Sequence, residues 1–159
     1  MTGVVEIRDT TRDSPGGPRV LAPTLAELLE CVASIGRDLT WTVLDLEAVG
    51  ELGEGRNMLD LEAQIQASPH GLVVSWSELL TLAQELHQVI SGVLAGVKDP
   101  SATARIWRGT DTCAISDLVL EAIDSSLWSV YARDDRVLQR LQGRFHDISF
   151  LTIPVRHAR

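Results

Sequence analysis

Apolar residues recur at helical spacing in three stretches of the chain, and each stretch has a start signal. Leu25, Leu28, Leu29, Val32 and Ile35 follow Thr24-Leu25-Ala26-Glu27, a capping-box pattern, and Gly36 is a natural stop. Leu79, Leu82, Ala83, Leu86, Val89 and Ile90 follow Ser75-Trp76-Ser77-Glu78, a second capping-box pattern. Val137, Leu138, Leu141 and Phe145 follow Asp134, which can cap a third helix.

Between the helices the period shortens to two. Trp41, Val43 and Asp45 alternate with Thr42, Leu44 and Leu46, which predicts a largely buried strand. Short strands are expected at 72–74, 93–95 and 104–107, and a final one where Ile148, Phe150 and Thr152 alternate with Ser149, Leu151 and Ile153. Residues 115–131 look extended throughout, either as one strand or as a hairpin broken at Asp124-Ser125-Ser126. Residues 47–62 hold three glycines and five acids against one arginine, and read as a hairpin or surface excursion.

Three helices with runs of strands between them fit an α+β domain, with an antiparallel or mixed sheet of about five to seven strands. The Ser14-Pro15-Gly16-Gly17-Pro18 break sets off residues 1–23 as an N-terminal arm, with Val4 to Ile7 as one short strand or a frayed end. Residues 24–159 then make a single domain.

Composition narrows the functional classes. Apolar residues are 45% and charged residues 23% of 159, ordinary for a globular chain. No basic n-region or membrane-length apolar run is present, so a cytoplasmic protein without a membrane partner is expected. The net charge of −8 argues against nucleic acid, whose binding is driven by Lys and Arg neutralising phosphates. Residues 1–100 carry 15 acids and 6 bases, while 101–159 carry 7 acids and 8 bases, so the acidity belongs to the N-terminal part and any partner drawn by it should be basic.

Candidate chemistry is sparse. Cys31 and Cys113 form no CxxC, and the four histidines lack metal-ligand spacing, so neither a metal nor another cofactor is expected. The glycines of Gly50-Glu51-Leu52-Gly53-Glu54-Gly55 are spaced wrongly for a phosphate loop, and the acids between them would repel anions. If 115–131 were one strand, Asp124, Ser126 and Trp128 would share a face and could line a pocket. A hydrolase triad using Ser125 or Ser126 would need a histidine brought close, and no GxSxG elbow supports one. Arg136, Arg140 and Arg144 form an i, i+4, i+8 basic stripe on the third helix, suited to a carboxylate or phosphate partner or to plain solvation.

The run Ile123-Asp124-Ser125-Ser126-Leu127-Trp128-Ser129-Val130, followed by Asp134-Asp135 and a helix ending at Phe145, resembles the C-terminal part of small uncharacterised bacterial proteins, some similar to immunity proteins of toxin systems. The resemblance spans residues 119–147, includes no catalytic motif and transfers no site. It suggests an immunity- or inhibitor-like protein; the acidity of the 45–62 region and the absence of a catalytic motif point separately to a non-enzymatic protein in which Asp45, Glu47, Glu51 and Glu54 would engage a basic partner. Two other readings stand beside it: a small enzyme or ligand-binding domain centred on Asp124, Ser126 and Trp128, and a self-associating structural domain forming a homo-oligomer.

Overall fold

The architecture comes from a computed structural model, which describes residues 3–8, 12–14, 17–19 and 22–151. The expected termination of the last strand at Thr152 and Ile153, and the tail beyond it, lie outside the described residues.

Seven strands form one antiparallel sheet: β1 (Gly3–Ile7), β4 (Thr40–Gly50), β5 (Leu72–Val74), β6 (Leu86–Val97), β7 (Leu118–Ile123), β8 (Leu127–Ala132) and β9 (Ile148–Leu151). Their spatial order is β5-β4-β6-β7-β8-β1-β9. Two further strands, β2 (Arg12–Ser14) and β3 (Gly17–Arg19), pair with each other across the predicted Pro-Gly break. β1 is the short strand of the two expectations for Val4 to Ile7. It is built into the sheet between β8 and β9, with Val5 and Ile7 fully buried.

The described residues contain more helix than the three periodic stretches predict. The expected ones are α1 (Leu25–Gly36), α3 (Trp76–Glu85) and α5 (Asp135–Arg144). The additions are α2 (Met58–Gln66), the short α4 (Thr112–Ile115) and a 3-10 turn at Pro100–Arg105. α2 arises inside the presumed excursion because the Asn57 side chain accepts from Asp60 N–H at 2.9 Å, while Leu61 and Ile65, one turn apart, are buried. The 3-10 turn replaces the strand expected at 104–107, since Asp99 caps it and Pro100 takes its first position.

The second predicted helix is too long by five residues. α3 stops at Glu85, and Leu86 is already extended at φ −87°, ψ 127°. Leu86 and Val89 are both buried, three apart, yet they belong to a strand. Irregularities in the β4–β6 register leave His87 and Ile90 unpaired, each advancing the alternation by one, so a bulged strand imitates a helical stripe.

α1, α3 and α5 lie on one face of the sheet, while α2 packs at the β4 edge. α1, α3 and α5 bury Leu28, Leu29, Leu79 and Leu141 against Trp41, Leu94, Leu120, Trp128 and Val130. Each of the two buried tryptophans removes roughly 200 Å² from water, about 5 kcal/mol at about 25 cal/mol per Å². Trp41 N–H donates to the Gly36 carbonyl at 2.9 Å, closing the C-terminus of α1, and its ring lies 6.2 Å from that of Trp76. Gly96, opposite Trp41, leaves room for its neighbours: a Cβ there would sit 2.7 Å from Leu39 Cδ1 and 3.2 Å from Trp41 Cε2, so the Leu39 side chain would have to move. The other face carries a smaller core, in which Ala102 and Ile106 of the 98–117 segment cover Leu44, Ala95, Val97 and Val119.

Residues 115–131 are a hairpin, not one strand. Ser126 N–H donates to the Ile123 carbonyl at 3.0 Å across Asp124 (φ 48°) and Ser125 (φ 59°), a β-turn with both central residues left-handed inside the three-residue connection 124–126. A left-handed residue with a side chain costs about 1–2 kcal/mol relative to the right-handed region, and glycine avoids that cost. Ser125→Gly should therefore stabilise the protein by about 0.5–1 kcal/mol in urea unfolding. A destabilised variant would mean that the Ser125 side chain is required by its surroundings.

Candidate functional site

The hairpin separates the residues of the presumed pocket. Asp124 and Ser126 are exposed at the turn, and the Ser126 hydroxyl is spent on the Ile123 carbonyl at 3.0 Å. Trp128 points the other way, into the large core, where its N–H donates to the Pro23 carbonyl at 2.7 Å. The three do not line a common cavity. Ser125 and His87 do meet at a small cleft of about 180 Å³ beside the start of α1, yet among the described residues no hydrogen bond joins any histidine to Ser125 or Ser126.

The basic stripe is present on α5 with all three arginines exposed. Arg136 is committed to Asp134, whose side chain accepts from it at 2.7 Å and is held down to about 2 by that bonding. Arg144 lies over the Phe145 ring at 5.5 Å. Arg140 and Arg144 both act on Cys31 of α1, lowering its pKa, but burial outweighs them and the thiol is raised overall. Arg140 and Arg144 thus stand near α1, and none of the three arginines lines the cleft at Ser125 and His87 or the larger cleft at Asp45 and Glu121.

A second cleft forms on the face of the sheet away from the large core. Its floor is a row across three adjacent strands: Asp45 of β4 pairs with Val93 of β6, which pairs with Glu121 of β7. Asp45 and Glu121 thus flank Val93 two strand spacings apart, about 10 Å between backbones. Asp45 reaches this face through a bulge. Leu44 has no partner in the β4–β6 register, so Leu44 and Asp45 together oppose Val93; Leu44 fills the small core and Asp45 rims the cleft. The wall is the segment Arg108–Cys113, turned at Gly109 with φ 94°, and the cleft is open to solvent, with a volume of about 350 Å³, near the lower end of ligand clefts.

Hydrogen bonding decides what the cleft presents. Asp45 Oδ1 accepts from Gln66 at 2.8 Å and from Leu46 N–H at 3.0 Å. Asp111 starts α4 without making a side-chain capping bond, and Glu121 is exposed. Arg108, the one cation lining the cleft, donates to the Ile65 carbonyl at 2.6 Å and twice to the Ser68 carbonyl, at 2.8 and 2.9 Å. The Ile65 carbonyl belongs to the last turn of α2 and Ser68 follows its C-cap, so the cation sits at the end of the helix, where it suits the dipole. The guanidinium therefore pins the wall to α2 and leaves three carboxylates at the opening.

Cys113 reports the resulting field. Its pKa rises to about 11, first through burial and then through the negative charges of Asp111 and Glu121. A protonated thiol, with no histidine in the lining, makes a poor nucleophile. What the arrangement can do is hold a cation.

Of the acids expected to bind a partner, Asp45 is in the cleft. Glu47 lies next to it on the same face of β4, exposed and accepting from Ser91 at 3.4 Å. Glu51 and Glu54 are exposed in the loop between β4 and α2, away from the cleft lining. Asp111 and Glu121 were not among the predicted residues. The outward phase of Glu121 in its strand was legible, but its meeting with Asp45 depends on β6 lying between β4 and β7.

The raised thiol sets a pH window. Below pH 9, Cys113 is protonated whether folded or unfolded; between 9 and about 11 only the unfolded chain ionises, so stability falls across that interval. Alkylation of Cys113 should likewise follow a titration centred near 11, and Asp111→Asn with Glu121→Gln should shift it downward. A midpoint unmoved by the double substitution would contradict the acidic field. In comparisons with known proteins, no family model, no curated protein and no solved structure matches this chain.

Proposed function

We propose that the protein is a binding module of the immunity or inhibitor kind, which holds a basic partner protein at the cleft formed by Asp45, Asp111 and Glu121. The observation that carries this reading is the commitment of the lining cation: Arg108 donates to carbonyl oxygens rather than to a carboxylate, so the three carboxylates at the opening outnumber the one positive charge in the lining and none of them is paired with it. A lysine or arginine side chain entering from a partner would supply a counter-charge. Beside the cleft, Trp107 is 49% exposed immediately before Arg108, and Val49 is 52% exposed on the Asp45–Glu47 side of β4. An aromatic and an aliphatic contact next to a charged pocket fit the division between apolar anchors, which supply affinity, and charges, which supply selection and encounter rate.

Glu47, Glu51 and Glu54 extend the negative field along and beyond β4 and would steer the approach. Screening follows: at about 1 M salt the Debye length is near 3 Å, so long-range steering disappears while a seated ion pair weakens less.

The test is capture on the tagged protein from its native cell extract at low salt, with mass spectrometry of what a salt step releases. A basic protein recovered stoichiometrically is expected. Asp45→Asn, Asp111→Asn and Glu121→Gln together should weaken its retention at least about tenfold, whereas Glu51→Gln with Glu54→Gln should mainly slow association, by about two- to threefold. Equal recovery on the cleft variant and the wild type would overturn the assignment of the cleft.

A further inference from the structure

We infer that β9 is a strand-addition edge and that its occupant is β9 of a second copy of this chain. β9 ends the sheet order, with β1 on one side and no strand beyond it among the described residues. Arg8 N–H donates to the Asp147 carbonyl at 2.8 Å, in register with the Ile7–Ile148 pair. Antiparallel bonding alternates from residue to residue, so Ser149 and Leu151 bond toward β1 while the N–H and C=O groups of Ile148 and Phe150 face outward. Those groups are open to solvent and can receive a strand, because an extended backbone meets donors and acceptors at that repeat.

The two ends of the sheet differ in protection. At the far end, β5 is three residues long, and beyond it α2 covers β4, with the Glu62 carboxylate accepting from Ala48 N–H at 3.1 Å. β9, four residues long, carries no charge, proline or glycine in Ile148-Ser149-Phe150-Leu151, and no helix or strand covers its outer side among the described residues. Phe150 is 51% and Leu151 44% exposed, one on each face of the sheet.

Self-pairing satisfies these constraints in one register. With Ser149 opposite its own counterpart, Ile148 faces the second copy's Phe150 and Phe150 its Ile148, forming four backbone hydrogen bonds. The two phenyl rings then cover the two isoleucines on the helix-bearing side. Although each chain carries a net charge of −8, no charged residue opposes another along Ile148 to Leu151. Ser149 and its counterpart form a pair without hydrogen bonds between them, where Cα atoms approach to about 4.5 Å, within disulfide range.

This inference is independent of the acidic cleft and is tested separately. Light scattering of the full chain should give twice the 17.4 kDa chain mass, dissociating on dilution. Ser149→Cys should cross-link to a disulfide dimer under mild oxidation, in yield well above the wild type with its own two cysteines. Phe150→Pro removes an N–H that β1 does not use, and should give a monomer; Phe150→Lys gives the same readout if the proline variant fails to fold. A wild-type monomer at every concentration, or a dimer that persists in both Phe150 variants without Ser149→Cys cross-linking, would overturn the inference.

Discussion

The bulge at Leu44 and Asp45 is the constraint on which both faces of the molecule depend. A regular strand alternates sides, so Trp41 and Val43 inside the large core would be followed by Asp45 inside it as well, an isolated carboxylate costing several kcal/mol to bury. One extra residue removes the conflict. Leu44 and Asp45 both turn to the opposite face, and Leu46 and Ala48 resume the core phase. The alternation read from the sequence correctly marks a strand, yet it places Asp45 with the tryptophan. The bulge is what brings it out to the cleft.

Legibility followed the range of the interactions involved. Helix starts at Thr24, Ser75 and Asp134 were readable because a cap is a bond within about three residues. At Ser75 both halves of the box form, the side chain accepting from Glu78 N–H at 3.1 Å and the Glu78 carboxylate accepting in return. The hairpin at Asp124-Ser125 was one of two open readings, since the left-handed turn normally advertises itself with Asn-Gly and here does not. Asn57 offered the same kind of cap signal as Ser75, but the acids around it directed the reading toward a surface loop. The end of α3 was not readable, because bulges at His87 and Ile90 gave strand residues a helical spacing.

The candidate site was half legible for a related reason. Acidity in the first hundred residues is a property of the sequence and pointed to Asp45 and Glu47. Convergence is not. Asp111 and Glu121 come from the less acidic part of the chain, and join Asp45 only because β7 lies next to β6 and Arg108 fastens the 108–113 segment to α2. Local charge density marked Glu51 and Glu54, which occupy an exposed loop outside the cleft, and gave no signal for the two carboxylates that complete it.

The central claim is that this cleft, rather than acidity in general, receives a cationic group. The most direct measurement is an amide NMR titration of the protein with a short arginine-rich peptide at low ionic strength. Saturable shifts confined to Asp45, Val93, Glu121 and residues 109–113 are predicted. Shifts spread over every acidic surface, or centred on Glu51 and Glu54, would contradict it.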